Sequence, residues 1–257
     1  LASSARTTTA VPVLCTWATS NELMASAADR QATALALEIV RNAWVAHRNH
    51  AEGSDVVQVV GSSTFGRRSD VDIVLASSTS DSRFHLQKLC AEIPNTLNSE
   101  SQQALIYFGD SQRCPRVHAL FRFDNLPSVD LDILTTELTE GRSFTEKTSS
   151  VDLSHHPELL GLSHLQEVRA LLGDTIELME FGAMVCAACR IFEQAHAFHA
   201  TYLLSVRTFQ VARLLAEFIA TCEPFEVDHR SSRSYQYLVQ FVAAMAKKSR
   251  SDWRQEL

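Results

Sequence analysis

The chain has 257 residues, 46% of them hydrophobic, and a formal net charge of −7. That allows one large core or two small ones, and no apolar run reaches the roughly 18 residues a membrane span needs. The acidic balance argues against a basic nucleic-acid scaffold, which binds through clustered Lys and Arg, but leaves room for an enzyme that holds one RNA end in a small basic groove.

The opening stretch, LASSARTTTAVPVL, carries Arg, Ser and Thr and no acid. It mildly resembles the tail of an organellar transit peptide, and a plain exposed terminus is the other reading. Six cysteines without a signal-peptide pattern ahead of them read as reduced thiols of an intracellular protein. A mitochondrial location is slightly favoured over a cytoplasmic one. Residues 30–47 put Ala32, Leu35, Ile39, Ala43 and Ala46 on one helical face. Val56 to Val60 and Asp70 to Leu75 read as strands, SSTSDS (77–82) as a loop, and Phe84 to Ile93 as a helix stopped by Pro94. Leu105 to Phe108, Val117 to Phe123 and Val129 to Leu134 fit three further strands. Residues 141–157, GRSFTEKTSSVDLSHHP, are polar and lack periodicity, which predicts a domain boundary. Helices are predicted beyond it, at about 174–198, 203–220 and 233–248, with no internal repeat. The fold class is therefore α+β: a sheet-bearing domain over 26–145, and a mainly helical domain from 1–25 and 146–257.

The chemistry concentrates in VVGSSTFGRRSDVDIVL (59–75). Aspartate is disfavoured inside strands. Strand side chains alternate faces, so Asp70 and Asp72 are expected on one face with Val71 and Ile73 opposite. In VDLDI, Asp130 and Asp132 repeat the pattern against Val129, Leu131 and Ile133. Like charges side by side are tolerable when a divalent cation neutralises them, and hard carboxylate oxygens suit Mg²⁺. Two such ions can activate an attacking hydroxyl and stabilise a leaving pyrophosphate. Ahead of the acids, Gly61 permits close approach to a ligand, and Ser62 and Ser63 offer hydroxyls and N–H groups. A helix starting there would add an anion site. The competing reading is a solvent-facing strand edge. A second constellation, Cys186, Cys189, His196 and His199, hints at zinc. On one helix, however, Cys189 and His196 lie about 10 Å apart along the axis, so buried thiols are expected instead.

On the G-S pair, the D-h-D strand and the later h-D-h strand, the chain resembles the nucleotidyltransferases of the DNA polymerase β superfamily. Within them it is similar to the terminal uridylyltransferases (TUTases) and the poly(A) polymerase-type enzymes, and among TUTases to the minimal trypanosomatid members. In the family the third aspartate directly precedes Ile or Val, which selects Asp132 over Asp130. Arg113-Cys114-Pro115 matches an Arg-x-Pro ahead of the preceding strand. CEPFEVDHRSSR (222–233) resembles the base-recognition motif, D-P-F-E with an Arg seven residues after the Glu. Glu226 and Arg233 keep that spacing, and Glu223 replaces the Asp. His229 stands where some uridylyl-adding members carry a His that favours UTP.

The chain also departs from the family. The lysines that hold the β- and γ-phosphates would fall at Cys189 and Glu193, leaving Arg190, with Arg67, Arg68 and Arg207 as substitutes. Ser205 and Arg207 stand where the family has a Ser-Tyr pair that meets the base, with Tyr202 as another stacking candidate. The helix before the motif runs almost directly into Thr221 and Cys222, where the family commonly has several dozen residues.

The resemblance implies a polymerase β-like palm plus a helical base-recognition domain, adding UMP from UTP to RNA 3′ ends. Asp70, Asp72 and Asp132 would hold two Mg²⁺ (or Mn²⁺) ions. Gly61, Ser62, Ser63, Ser69 and Arg190 would hold the nucleotide, together with Ser205, Arg207, Glu223, Glu226, His229 and Arg233. Arg113 and Arg68 would touch RNA. The implied partners are a single-stranded RNA 3′ end, UTP and an RNA-processing complex such as one for RNA editing, with the chain itself monomeric. The alternatives are a poly(A)-adding enzyme, an inactive relative that binds RNA or protein, and a transferase acting on a small molecule.

Overall fold

A computed structural model describes residues 24–46, 57–97, 101–109, 114–138, 142–198, 208–222 and 230–247. The described chain divides into two compact units. One holds Ala25–Thr64 and Arg68–Leu165, and the other Met24, Phe65–Arg67 and the chain from Gln166 onward. The architecture is α+β, as expected, with a mixed five-stranded sheet in the first unit and helices dominating the second.

In the first unit, helix α1 (Ala27–Ala46) is opened by a reciprocal cap. Ser26 N donates to Asp29 Oδ2 at 2.8 Å and Asp29 N to Ser26 Oγ at 3.1 Å, which satisfies two amides that a helix start leaves open. The sheet runs β1 (Val57–Val60), β2 (Val71–Ser77), β5 (Val129–Glu137), β4 (Arg116–Phe123), β3 (Gln102–Gly109). Only the β2–β5 pair is parallel. Alternation decides what each face carries. Val71, Ile73 and Leu75 of β2, Val129, Leu131 and Ile133 of β5, and Val117, Ala119 and Phe121 of β4 form one core with α1 and helix α2 (Ser82–Thr96). Trp44, fully buried, donates its indole N–H to Ala76 O at 2.8 Å and ties α1 to β2.

Within this unit one end of the opposite face is covered. There Val74, Ala76, Val60 and Leu138 pack under Phe144 and Leu162. Phe144 opens helix α3 (Phe144–Ser150), and Leu162 lies in the first turns of helix α4 (Leu160–Leu172). The other end of this face carries the aspartates.

Three expectations are corrected. Pro94 does not stop its helix: α2 continues to Thr96 with the proline in its last turn. So near the end Pro costs only one intrahelical bond, and Thr96 Oγ1 donates to Ile93 O at 2.7 Å. Asp70 is not in a strand, because ladder pairing begins at Val71 opposite Leu131. The polar stretch 141–157, read as lacking periodicity, holds helix α3, which starts from a capping box in which Ser143 and Glu146 satisfy each other's amides.

In the second unit, Gly173, at φ +49°, ends α4 and donates to Arg169 O at 3.0 Å. Helix α5 (Leu178–Phe198) then packs against α6 (Thr208–Thr221) and α7 (Arg230–Lys247). Phe192 and Phe218 both meet the ring of Phe241 edge-on, at 6.0 and 5.7 Å between centroids. Cys186 and Cys189 are buried on continuous α5, as the helical spacing required. No helix among the described residues is long and apolar enough to cross a membrane.

Candidate active site

The parallel pairing of β2 with β5 places Asp72 directly beside Asp132. One strand further, Asp132 is paired with His118 of β4, and on the edge strand β3 His118 is paired with Tyr107. Directly paired residues point to the same face. Asp72, Asp132, His118 and Tyr107 therefore form one row across four strands, on the face that α3 and α4 leave open. Asp130 lies on the same face one pair along, opposite Leu120. The register thus puts Asp132, not Asp130, against Asp72.

The row is electrostatically coupled. Burial, then the Asp132 and Asp70 carboxylates, push the Asp72 carboxyl up to about 6, and the Arg116 guanidinium pulls against them. Burial, Asp70 and Asp132 likewise raise Asp130, while His118 lowers it. Asp132 Oδ1 is engaged by His118 Nδ1. Among the described residues no group of three His, Cys, Asp or Glu converges closely enough to hold a metal ion. The donor set itself fits one: hard oxygens, mutually repelling, with the central carboxyl held far above its ordinary value.

The turn before β2 is built around the carboxylate. Gly61 has φ +78°, and a Cβ there would lie 2.2 Å from Asp72 Oδ2, so only glycine leaves the carboxylate its place. Ser62–Phe65 make one turn of 3-10 helix, not the α-helix start that an anion site would need. Thr64 Oγ1 donates to Gly61 O at 2.6 Å, Ser63 Oγ to Val60 O at 3.4 Å, and Ser62 and Ser69 share a 2.9 Å hydroxyl contact. Gly61, Ser62, Ser63, Ser69, Asp70, Asp72 and Asp132 are thus brought together in one unit.

The other expected residues fall elsewhere. Arg68 pairs with Asp29 at 3.5 Å. Arg67 forms an isolated bridge with Met24 in the second unit. Arg190 is exposed on α5. Arg233 on α7 is half-buried, its Nε without a hydrogen-bond partner, and lines a cavity of about 30 Å³ with Asp174, Glu177 and Glu180. Arg113, Ser205, Arg207, Glu223, Glu226 and His229 lie outside the described residues, as do Tyr202 and the opening stretch. Sequence reading missed His118 and Arg116. The signal was the alternation in RVHALFRF, which sets both opposite Val117, Ala119 and Phe121.

Comparison with family models and with curated proteins finds no match. Solved structures do match. The polymerase core of TRAMP, an RNA surveillance complex, aligns with TM-score 0.54 and 16% identity over 94% of this chain and 65% of that one. A cytoplasmic RNA terminal U-transferase aligns with TM-score 0.51 and 14% identity over 93% and 73%. Terminal uridylyl transferase 4 from Trypanosoma brucei, with bound dUTP, aligns with TM-score 0.51 and 12% identity over 95% and 74%. At these identities the likeness is one of fold: the mixed sheet and helices resemble those of the matched structures.

Proposed function

We propose that the chain is a template-independent RNA 3′-terminal nucleotidyltransferase that adds UMP from UTP. The observation that carries this is the Asp72–Asp132 pair across β2 and β5, with Gly61 shaped around the Asp72 carboxylate, in the fold of these enzymes. Asp70, Asp72 and Asp132 would hold Mg²⁺ or Mn²⁺. When bound there, a divalent pair lowers the pKa of an attacking hydroxyl and neutralises a departing pyrophosphate.

The chain's own residues supply position. The turn at Gly61, Ser62 and Ser63, with Ser69, presents hydroxyls and amides beside the carboxylates for the triphosphate. The 3′ oxygen of the RNA forms a bond to the α-phosphorus as the bond to the bridging oxygen breaks. Pyrophosphate leaves, and the hydroxyl proton passes to solvent. Rate comes from orientation and charge placement rather than a covalent intermediate. The uridine preference rests on His229 with Glu223, Glu226 and Arg233, and on the resemblance of residues 222–233 to a base-recognition motif. Adenylate addition is the second reading, because the family that the motifs resemble includes poly(A) polymerase-type enzymes.

The test is extension of a short single-stranded RNA with Mg²⁺ and each NTP in turn. Extension is expected with UTP ahead of ATP, abolished by Asp132→Asn and retained at a reduced rate by Asp130→Asn. If Asp130→Asn abolishes it and Asp132→Asn does not, the ligand assignment is wrong. An unchanged UTP:ATP ratio in His229→Ala removes His229 from base choice.

A further inference from the structure

The row of paired residues does not stop at the carboxylates. Beyond His118 it reaches Tyr107 on the edge strand β3, with ring centroids 6.2 Å apart and planes 33° from parallel. Tyr107 is 68% exposed and Leu105, two residues back on the same face, 70%. Leu105 is paired with Leu120, and exposed Arg122 with Gln103. Arg116 lies at the other end of the patch. A Cβ built on Gly109 would be 3.4 Å from Arg116 Cγ and 4.0 Å from His118 Cδ2, ordinary contact distances, so the arginine and the histidine both lie beside this glycine. The result is an exposed aromatic and aliphatic strip with an arginine at each end. It is continuous with the carboxylate row and lies wholly within one unit.

We propose that Tyr107, with His118, Leu105 and Leu120, is the stacking platform for the last bases of the single-stranded acceptor RNA, and that Arg116 and Arg122 meet its phosphates. This rests on the nucleotidyltransferase reading above. Aromatic rings flanked by basic groups bind single strands irrespective of sequence, because every base has a face to stack and every linkage a charge. An arginine can serve a phosphate and a base plane alike. Geometry gives direction. From Tyr107 to Asp132 is two strand spacings, about 10 Å, or about three stacked bases at ~3.4 Å each. A strand lying along the row would deliver its 3′ end to the carboxylates. A protein partner adding a strand to the β3 edge would use its backbone instead, and would not need arginines at both ends of a strip leading to acids.

The test measures binding of a fluorescein-labelled ten-nucleotide RNA by anisotropy at 150 mM salt, alongside steady-state extension with UTP, on the full chain. Tyr107→Ala is expected to weaken RNA binding about tenfold and raise KM for RNA in proportion, with KM for UTP unchanged. Tyr107→Phe should restore both. Arg122→Gln should weaken binding and lower its salt dependence. A photoreactive uridine placed three positions from the 3′ end should crosslink to β3 or β4. If the wild type extends RNA but Tyr107→Ala, with an unchanged melting temperature, binds it within twofold of wild type, the platform is wrong and the enzyme reading stands. If the wild type neither binds nor extends RNA, both fail. If Tyr107→Ala instead dissolves a self-associated species and leaves RNA binding intact, the strip is a protein interface and the proposal is overturned.

Discussion

Gly61 and Asp72 are built around one another: a Cβ on Gly61 would sit 2.2 Å from Asp72 Oδ2, and the glycine backbone is held at φ +78°. The G-S pair is therefore more than a phosphate cradle, because it makes room for the central carboxylate. Gly61→Ala forces the carboxylate to rotate away and strains the backbone, at a cost of about 1–2 kcal/mol from the left-handed conformation alone. Extension should fall at least tenfold, with a melting temperature lower by several degrees. Activity lost without any thermal shift would mean the carboxylate moved freely.

Asp72 should make the fold more stable as pH falls. Its carboxyl is raised to about 6, first by burial and then by Asp132 and Asp70. An acid raised above its unfolded value takes up a proton in the folded state first, so stability rises as pH drops from 7 through about 6 toward the unfolded value. Asp72→Asn should remove that slope and raise the melting temperature at pH 7.5 by about 2–4 °C, the shift expected for ~1 kcal/mol in a chain of this size. Mg²⁺ should stabilise the wild type and not the variant. Thermal melts over pH 5–8, with and without the cation, decide both points.

His85 should act with the opposite sign. Burial, opposed by Asp81 and aided by Lys88, lowers its pKa. Its Nε2 lies 2.7 Å from Thr79 Oγ1, and its buried Nδ1 has no partner among the described residues. The folded state holds it neutral, so stability is present above the unfolded value near 6.5 and is lost as pH falls toward the folded one. His85→Phe should flatten this part of the melting profile. An unchanged profile would show that the ring is solvated.

Gly182 carries a prediction in the other unit. A Cβ there would lie 1.7 Å from Phe65 O, a backbone atom that cannot rotate away, and the adjacent Phe181 ring meets Phe65 edge-on at 5.7 Å. Gly182→Ala must displace the helix or the 62–65 turn, costing about 1–3 kcal/mol as overpacking does. A melting temperature equal to wild type would refute that contact.

Much of the sheet was legible because half-buried strands alternate. VDIVL and VDLDI announce their apolar and acidic faces without help. The pairing of Asp72 with Asp132 was not legible, because a parallel pair joined through α2, β3 and β4 is fixed by tertiary packing rather than by neighbouring residues. His118 was overlooked for a related reason: a histidine among apolar residues gains meaning only when register sets it against an aspartate. Ser143 and Glu146 were readable as a capping box, and the polar composition around them masked a seven-residue helix. Pro94 was read by its usual effect, which weakens when only the last turn lies beyond it.

The proposed chemistry is transfer of a nucleotidyl group to an RNA 3′ end at the carboxylate row. The direct measurement uses UTP labelled at either the α- or the γ-phosphorus, with single-stranded RNA and Mg²⁺. The α label should enter the RNA at its 3′ terminus and the γ label should be released as pyrophosphate, with both signals absent in Asp72→Asn. Transfer of the γ label to RNA, or no transfer of the α label from any NTP with either Mg²⁺ or Mn²⁺, would contradict it.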